Sequence, residues 1–371
     1  WERSNLISSD VEIHFGLPVQ THDWKPDDSR IMYGYEGLLW TTNPDGSNKV
    51  RLYQLEIEEL SGTYRIRLAP DGKKIVFANE TYGEVDPTTF YRPRYFNIYT
   101  INIDGTNLVK LTNSNDSWEP SWSPNGERIV FIRIILEGKE SDIWVMNADG
   151  TEPRQLTSLP GEELDPVYSP DGNRIGFVHR VIVDNKVKDT VYVMNADGSG
   201  QAVVPLGSRL TYVNGLSWGP DSSVIVASDG EDIWAFTIDG RVVRRLIATW
   251  EEDWNPLVSH DGKRIVYETF QPGSWGVMNL HVATLSKPLS YENLAKCSSA
   301  LPTPFLPPPF VVFGGMIVII TVFAVVILGT VVVWFKLVKK AAGKKQGKIT
   351  KRDGILMSVS VNGSSISCFS S

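Results

Sequence analysis

Cysteine is nearly absent: Cys297 and Cys368 are the only two in 371 residues. No disulfide framework can hold such a chain, so its stability has to come from a hydrophobic core. Histidine is almost as sparse. His14, His22, His179, His260 and His281 are scattered without ligand spacing, and no metal site or other cofactor is expected from them. No G-x-S-x-G elbow occurs, which removes a serine-hydrolase reading. A basic surface is missing too: the residues before Lys336 carry a net charge of −14, against nucleic acid as a partner.

The chain has repetition instead. Residues 118–157 read as four short strands separated by turns: Ser121 to Ser123, a Pro124-Asn125-Gly126 turn, Arg128 to Ile132, Ile143 to Met146, an Asp149-Gly150 turn, and Arg154 to Thr157. The first turn recurs as Pro26-Asp27-Asp28, Pro70-Asp71-Gly72, Pro170-Asp171-Gly172, Pro220-Asp221-Ser222 and His260-Asp261-Gly262. Five residues after each anchor stands an isoleucine: Ile31, Ile75, Ile129, Ile175, Ile225 or Ile265. One small sheet cannot bury both of its faces, so copies have to stack on one another.

A period of about 40–50 residues with four strands per copy predicts blades of a β-propeller, and six copies predict six blades. Trp122-Ser123-Pro124-Asn125-Gly126, then Ile129 and Phe131, Ile143 to Gly150 and Leu156-Thr157 resemble the TolB-type propeller repeat. The resemblance extends over residues 20–290 and implies an all-β, six-bladed propeller of four-stranded antiparallel blades, on a fold that hosts unrelated roles. Residues 1–19 form an N-terminal segment that is one of two candidates for ring closure: either Asn5 to Phe15 or Lys287 to Ser290 supplies the outer strand of the last blade.

Beyond the repeats the composition changes. Residues 291–309 read as a proline-rich linker, and Phe310 to Phe335 is an uncharged apolar run of 26 residues, long enough for one transmembrane α-helix. The basic residues after it, including Lys336, Lys339, Lys340, Lys344 and Lys345, place the tail 336–371 in the cytoplasm, where they would meet anionic lipid headgroups. The propeller then stands outside, in the periplasm or the extracellular space, on a type I single-pass anchor. A chain beginning at Trp1 fits removal of a signal peptide, and a fragment equally.

Three sets of site residues follow. The residue five before each turn anchor is expected at the channel mouth: Thr21, Arg65, Glu119, Asp165, Gly215 and Asn255, all polar except the glycine. Residues 79–96 form the longest insertion and offer Tyr82, Phe90, Tyr91, Arg92, Arg94 and Tyr95 as partner contacts. Asn79 and Asn115 stand in glycosylation sequons. With no catalytic constellation, the expected role is non-enzymatic: protein binding or scaffolding in a membrane complex, with its other subunits as partners. Two alternatives stay open. One is a surface receptor for a small ligand or glycan at the channel mouth, and the other is a propeller hydrolase or lyase.

Overall fold

A computed structural model describes residues 2–3, 6–13, 21–35, 38–54, 62–85, 88, 92–135, 140–207, 210–249, 251–270 and 278–297, with short strands between 310 and 369. Residues 1–303 form one compact unit and residues 304–371 another.

In the first unit each copy builds an antiparallel sheet whose strands follow chain order. The first copy consists of Thr21–Trp24, Ile31–Tyr35, Leu38–Thr42 and Val50–Gln54. The second has Gly62–Leu68, Lys74–Tyr82, Arg94–Asn102 and Val109–Lys110. Ser117–Trp122, Arg128–Ile135, Glu140–Asn147 and Arg154–Gln155 make the third. The fourth has Glu162–Tyr168, Arg174–Val183, Lys186–Asn195 and Ala202–Val203, and a parallel bridge, Ser141 to Glu162, joins it to the third. Asn214–Trp218, Val224–Ser228, Ile233–Thr237 and Val243–Ala248 form the fifth, flanked by Glu2–Arg3.

The last sheet contains Glu252–Val258, Arg264–Phe270 and Met278–Leu285, and its fourth strand is Ile7–Ile13, from the other end of the sequence. That settles the choice left open by the sequence. Lys287 to Ser290 adds no strand, because Ser290 instead caps the short helix Tyr291–Ala295 through its side chain. The expected linker 291–309 therefore begins with structure, and Leu294 and Cys297 are buried in the core. A buried Cys297 thiol is out of reach of an intermolecular bridge.

Packing explains the register of the repeats. The isoleucine after each turn is wholly buried in every copy, and it meets the neighbouring sheet. Each side chain of that size contributes about 1.5–3 kcal/mol on burial. The turns themselves close with the fourth residue's N–H on the first residue's carbonyl, 2.8 Å in four copies with glycine at a φ of 67–72°. Asp28 and Ser222 hold the same left-handed backbone without glycine. Each instead reaches the preceding turn in the ring: Ser222 Oγ accepts from Asp171 N (3.1 Å), and Asp28 accepts from His260 N (2.9 Å) and Asp261 N (2.8 Å). The later Asp-Gly turns use their aspartates locally, as where Asp149 Oδ1 accepts from Thr151 N (2.9 Å) and Oγ1 (2.6 Å) two residues on.

The second unit differs from the expected helix. Phe310–Phe313 pairs with Met316–Ile319 and Phe323–Ile327 with Thr330–Trp334, so the apolar run is described as strands where a helix was expected. Valine, isoleucine and phenylalanine favour strands. Gly314, Gly315 and Gly329 interrupt the run, each costing a helix about 1 kcal/mol. Among the described residues no helix is long and apolar enough to cross a membrane. Lys336, Lys339, Lys340, Lys344 and Lys345 lie outside the described residues.

Candidate binding site at the channel mouth

The first strands of the copies surround a passage. A cavity of about 300 Å³ opens at one end and shares Arg65, Arg67, Glu119 and Leu257 with a smaller one, which leads to a third lined by Trp24, Trp122 and Trp218. The expected mouth positions share one local structure. Arg65, Glu119, Asp165, Gly215 and Asn255 all have φ between 49° and 64°, each where the register of its strand shifts. These are β-bulges. Glu119, Asp165 and Asn255 adopt this backbone just before a proline, and a non-glycine residue in such a conformation costs about 1–3 kcal/mol. Thr21 is the exception, since its strand pairs without a shift.

A bulge frees backbone amides, and side chains of the adjoining copy satisfy them. Thr21 Oγ1 accepts from Ile66 N (2.9 Å), Glu119 Oε2 from Asp165 N (2.6 Å) and Asp165 Oδ2 from Gly215 N (3.0 Å). Arg65 bridges Glu119 (3.2 Å) and Asp165. Burial alone would lower the Arg65 pKa, but Asp165, Glu119 and Glu268 hold it above the usual range. Burial pushes the Glu119 carboxyl up, and the charge of Asp165 adds to the effect. Several of the expected ligand groups are thus engaged in the scaffold.

Two residues outside the expected set stand beside them. His22 Nδ1 lies 2.8 Å from Glu268 Oε1, and Asn255 Nδ2 donates to Glu268 Oε2 at 2.9 Å. The histidines are not all scattered in space, as their spacing suggested: one meets a carboxylate in the cavity wall. A signal existed in the repeat itself. The copies align His22 with Ile66, Pro120, Pro166, Leu216 and Pro256, and Glu268 with Gly34, Ala78, Ile132, Val178 and Ser228. Each is the single charged or titratable residue at its position, and adjacent sheets bring the two exceptions together. Four atoms in this wall are buried without a hydrogen-bond partner among the described residues: His22 Nε2, Asn214 Oδ1, Trp254 Nε1 and Asn255 Oδ1. Each such group costs about 1–3 kcal/mol if nothing binds it.

The remaining expected residues lie elsewhere. Tyr82 is exposed and carries Arg92 over its ring at 4.9 Å, Arg94 pairs with buried Glu80 and covers the Phe96 ring, and Tyr95 is half-buried. Phe90 and Tyr91 fall outside the described residues. Asn79 is 1% exposed, so its amide is inaccessible in the folded chain, whereas Asn115 is exposed and accepts from Asn97 Nδ2.

Repeated four-stranded antiparallel sheets, each packed on the next through its first strand and second strand, define a β-propeller. Residues 120–282 match the TolB beta propeller domain, which supports a TolB-type propeller family. A TolB homologue of Chlorobium luteolum is 30% identical over 156 residues, 40% of this chain and 32% of that protein. Dipeptidyl-peptidase 5 of Porphyromonas endodontalis is 28% identical over 123 residues, 33% of this chain and 17% of that one. The Tol-Pal system protein TolB of Rhizorhabdus wittichii is 36% identical over 75 residues, 20% and 17% of the two. The chain thus spans a third or less of the length of these relatives. Among solved structures, a TolB-like protein of Agrobacterium tumefaciens aligns with a TM-score of 0.51 at 17% identity, over 76% of this chain and 99% of that one. An oligogalacturonate lyase of Vibrio parahaemolyticus aligns at 0.53 and 14%, over 73% and 79%. At such identities the likeness shows the fold alone.

Proposed function

We propose that this chain is a non-catalytic, six-bladed protein-binding subunit of a membrane complex. The observation that carries this reading is the end of the propeller where second strands turn into third strands. Tyr82 and Val85 in the second copy, Ile135 in the third and Ile182 and Val183 in the fourth are large apolar side chains exposed there by 38–74%. Consecutive lengthened hairpins ending in apolar tips favour a docking surface for another protein. Relatives named for the Tol-Pal system support an assembly role. The uncharged run 310–335 with its basic C-terminal flank favours a membrane anchor, with the propeller outside the cytoplasm and the lysines at anionic lipid.

The test is extraction from native membranes in mild detergent, followed by identification of co-migrating subunits. Partners are expected with the native chain and are expected to be lost with Ile182→Glu combined with Val183→Glu. Migration of the native chain as a monomer, or retention of partners by the double variant, overturns the docking surface. Release of the chain by an alkaline wash overturns the anchor.

A second reading, a hydrolase or lyase working in the channel, is favoured by the His22–Glu268 pair, in which a carboxylate orients an imidazole as it would a general base. Turnover of a substrate that Glu268→Gln abolishes would establish it.

A further inference from the structure

We propose that the channel mouth binds a primary ammonium group with an oxygen acceptor beside it. The cavity walls hold unspent hydrogen-bonding capacity of one kind. Glu268 Oε1 only accepts, so at 2.8 Å the proton of neutral His22 sits on Nδ1 and Nε2 keeps a lone pair. Asn255 gives its Nδ2 to the other oxygen of Glu268, which leaves Oδ1 as its unpartnered end. Asn214 Oδ1 is the third unpartnered acceptor. Against these three stands one buried unpartnered donor in this wall among the described residues, Trp254 Nε1.

The cations of the site are already engaged. Arg65 bridges Glu119 and Asp165, while Arg67 donates to the carbonyls of His22 (3.3 Å) and Ile66 (3.0 Å). An anion would bring further acceptors to a wall already rich in them. A primary ammonium brings three N–H donors for three acceptors, and a neighbouring hydroxyl or carbonyl oxygen takes the indole N–H. Trp118 and Trp254, both in the cavity lining, add indole rings that attract a cation. A cavity of about 300 Å³ suits a small head group. Ethanolamine and the amino terminus of a peptide both carry this chemistry.

The purified full chain should be titrated by calorimetry with ethanolamine and glycylglycine, with choline and N-acetyl-glycylglycine as blocked counterparts, and with galacturonate. Binding of ethanolamine or glycylglycine at least about tenfold tighter than of its blocked counterpart is expected. Ethanolamine alone points to a free amino alcohol and glycylglycine alone to a peptide terminus. Equal binding of choline, binding of galacturonate only, or no binding of either amine at about 10 mM overturns the proposal. Asn214→Leu should weaken binding by about tenfold or more, and Asn214→Asp, which keeps an acceptor there, should retain it. Loss with both, in chains that melt like the native one, also overturns it.

Affinity should fall at alkaline pH as the ligand ammonium is lost. A profile without the alkaline limb overturns the ammonium assignment. Because calorimetry uses the isolated chain and partner capture uses membranes, failure of one leaves the other standing.

Discussion

The junction between the third and fourth copies and the junction between the sixth and the first are built on the same apolar plan. In the former, Val130, Ile132 and Val145 meet Tyr168, Ile175 and Phe177; in the latter, Val266, Leu280 and Val282 meet Trp24, Ile31 and Tyr33. Both junctions hold buried polar contacts, as of Glu163 with Thr157 at the internal one, but the closing junction adds two histidine–carboxylate pairs. Asp28 takes the His260 ring (2.8 Å) and two amides at one end of the closing junction, and His22 takes Glu268 at the other. The covalent chain crosses both junctions, the closing one between Ile13 and Thr21; the closure held by contacts alone lies inside the sixth sheet, where Ile7–Ile13 pairs with Met278–Leu285. Generic apolar packing would accept any copy as neighbour, and buried polar pairs accept few.

The largest effect should come from removing the closure altogether. Deleting residues 1–13 takes away the strand Ile7–Ile13 with buried Leu6 and Ile13, and bares the edge of Met278–Leu285. A loss of about 5 kcal/mol or more, or of the cooperative transition itself, is expected in a thermal melt. A deletion that melts like the native chain would show that closure does not depend on this strand.

Next is a test that the internal copies have a charged centre of their own. Arg65→Leu strands Glu119 and Asp165 without their cation and should cost about 3–5 kcal/mol in a urea titration. An unchanged midpoint would mean that the two carboxyls share a proton at no cost.

Asp28→Ala removes the lock at the turn end and should cost about 1–3 kcal/mol at pH 6. Its pH dependence has a definite sign. The hydrogen bond to Asp28 raises the His260 pKa, so this stabilisation is complete below the unfolded value near 6.5 and is lost as pH rises through the raised one. Burial opposes ionisation of Asp28, yet its bonds from His260 and Asp261 hold it below the usual range, and its contribution fades only in stronger acid. The difference between native and variant midpoints should therefore shrink from pH 6 to pH 9.

The smallest effect tests the internal junction. Burial, aided by the charge of Asp142, pushes the Glu163 carboxyl up to about 7, although Thr157 and the amides of Leu159 and Ile143 favour its ionised form. A raised carboxyl destabilises the fold as pH rises from about 4.5, where the unfolded chain ionises, toward 7. Glu163→Gln should flatten that slope by on the order of 2 kcal/mol, read from urea midpoints across the range. A slope unchanged in the variant would assign it to another group.

Much of this fold was readable because a repeat supplies its own controls. The turn anchors and their following isoleucines kept one spacing, and five of the six expected mouth positions share one backbone conformation. The closing strand was ambiguous because Ile7–Ile13 has neither turn anchor nor isoleucine at the repeat spacing. The apolar run 310–335 satisfies the length rule for a membrane helix while its valines and isoleucines also suit strands, and sequence alone cannot separate the two. His22 and Glu268 escaped notice because they were sought by spacing along the chain. They are visible only as departures from the repeat.

The shared sheet also imposes an order in time. Ile13 pairs with Leu280 and Ile7 with Leu285, so a strand made before the first copy must wait for a partner made after five of them. Until then its ladder groups lack their native partners, in the state most open to pairing with the wrong chain. The ring is completed by the slowest kind of contact, one of the greatest sequence separation, and synthesis of the whole propeller is the condition for this early strand to come to rest.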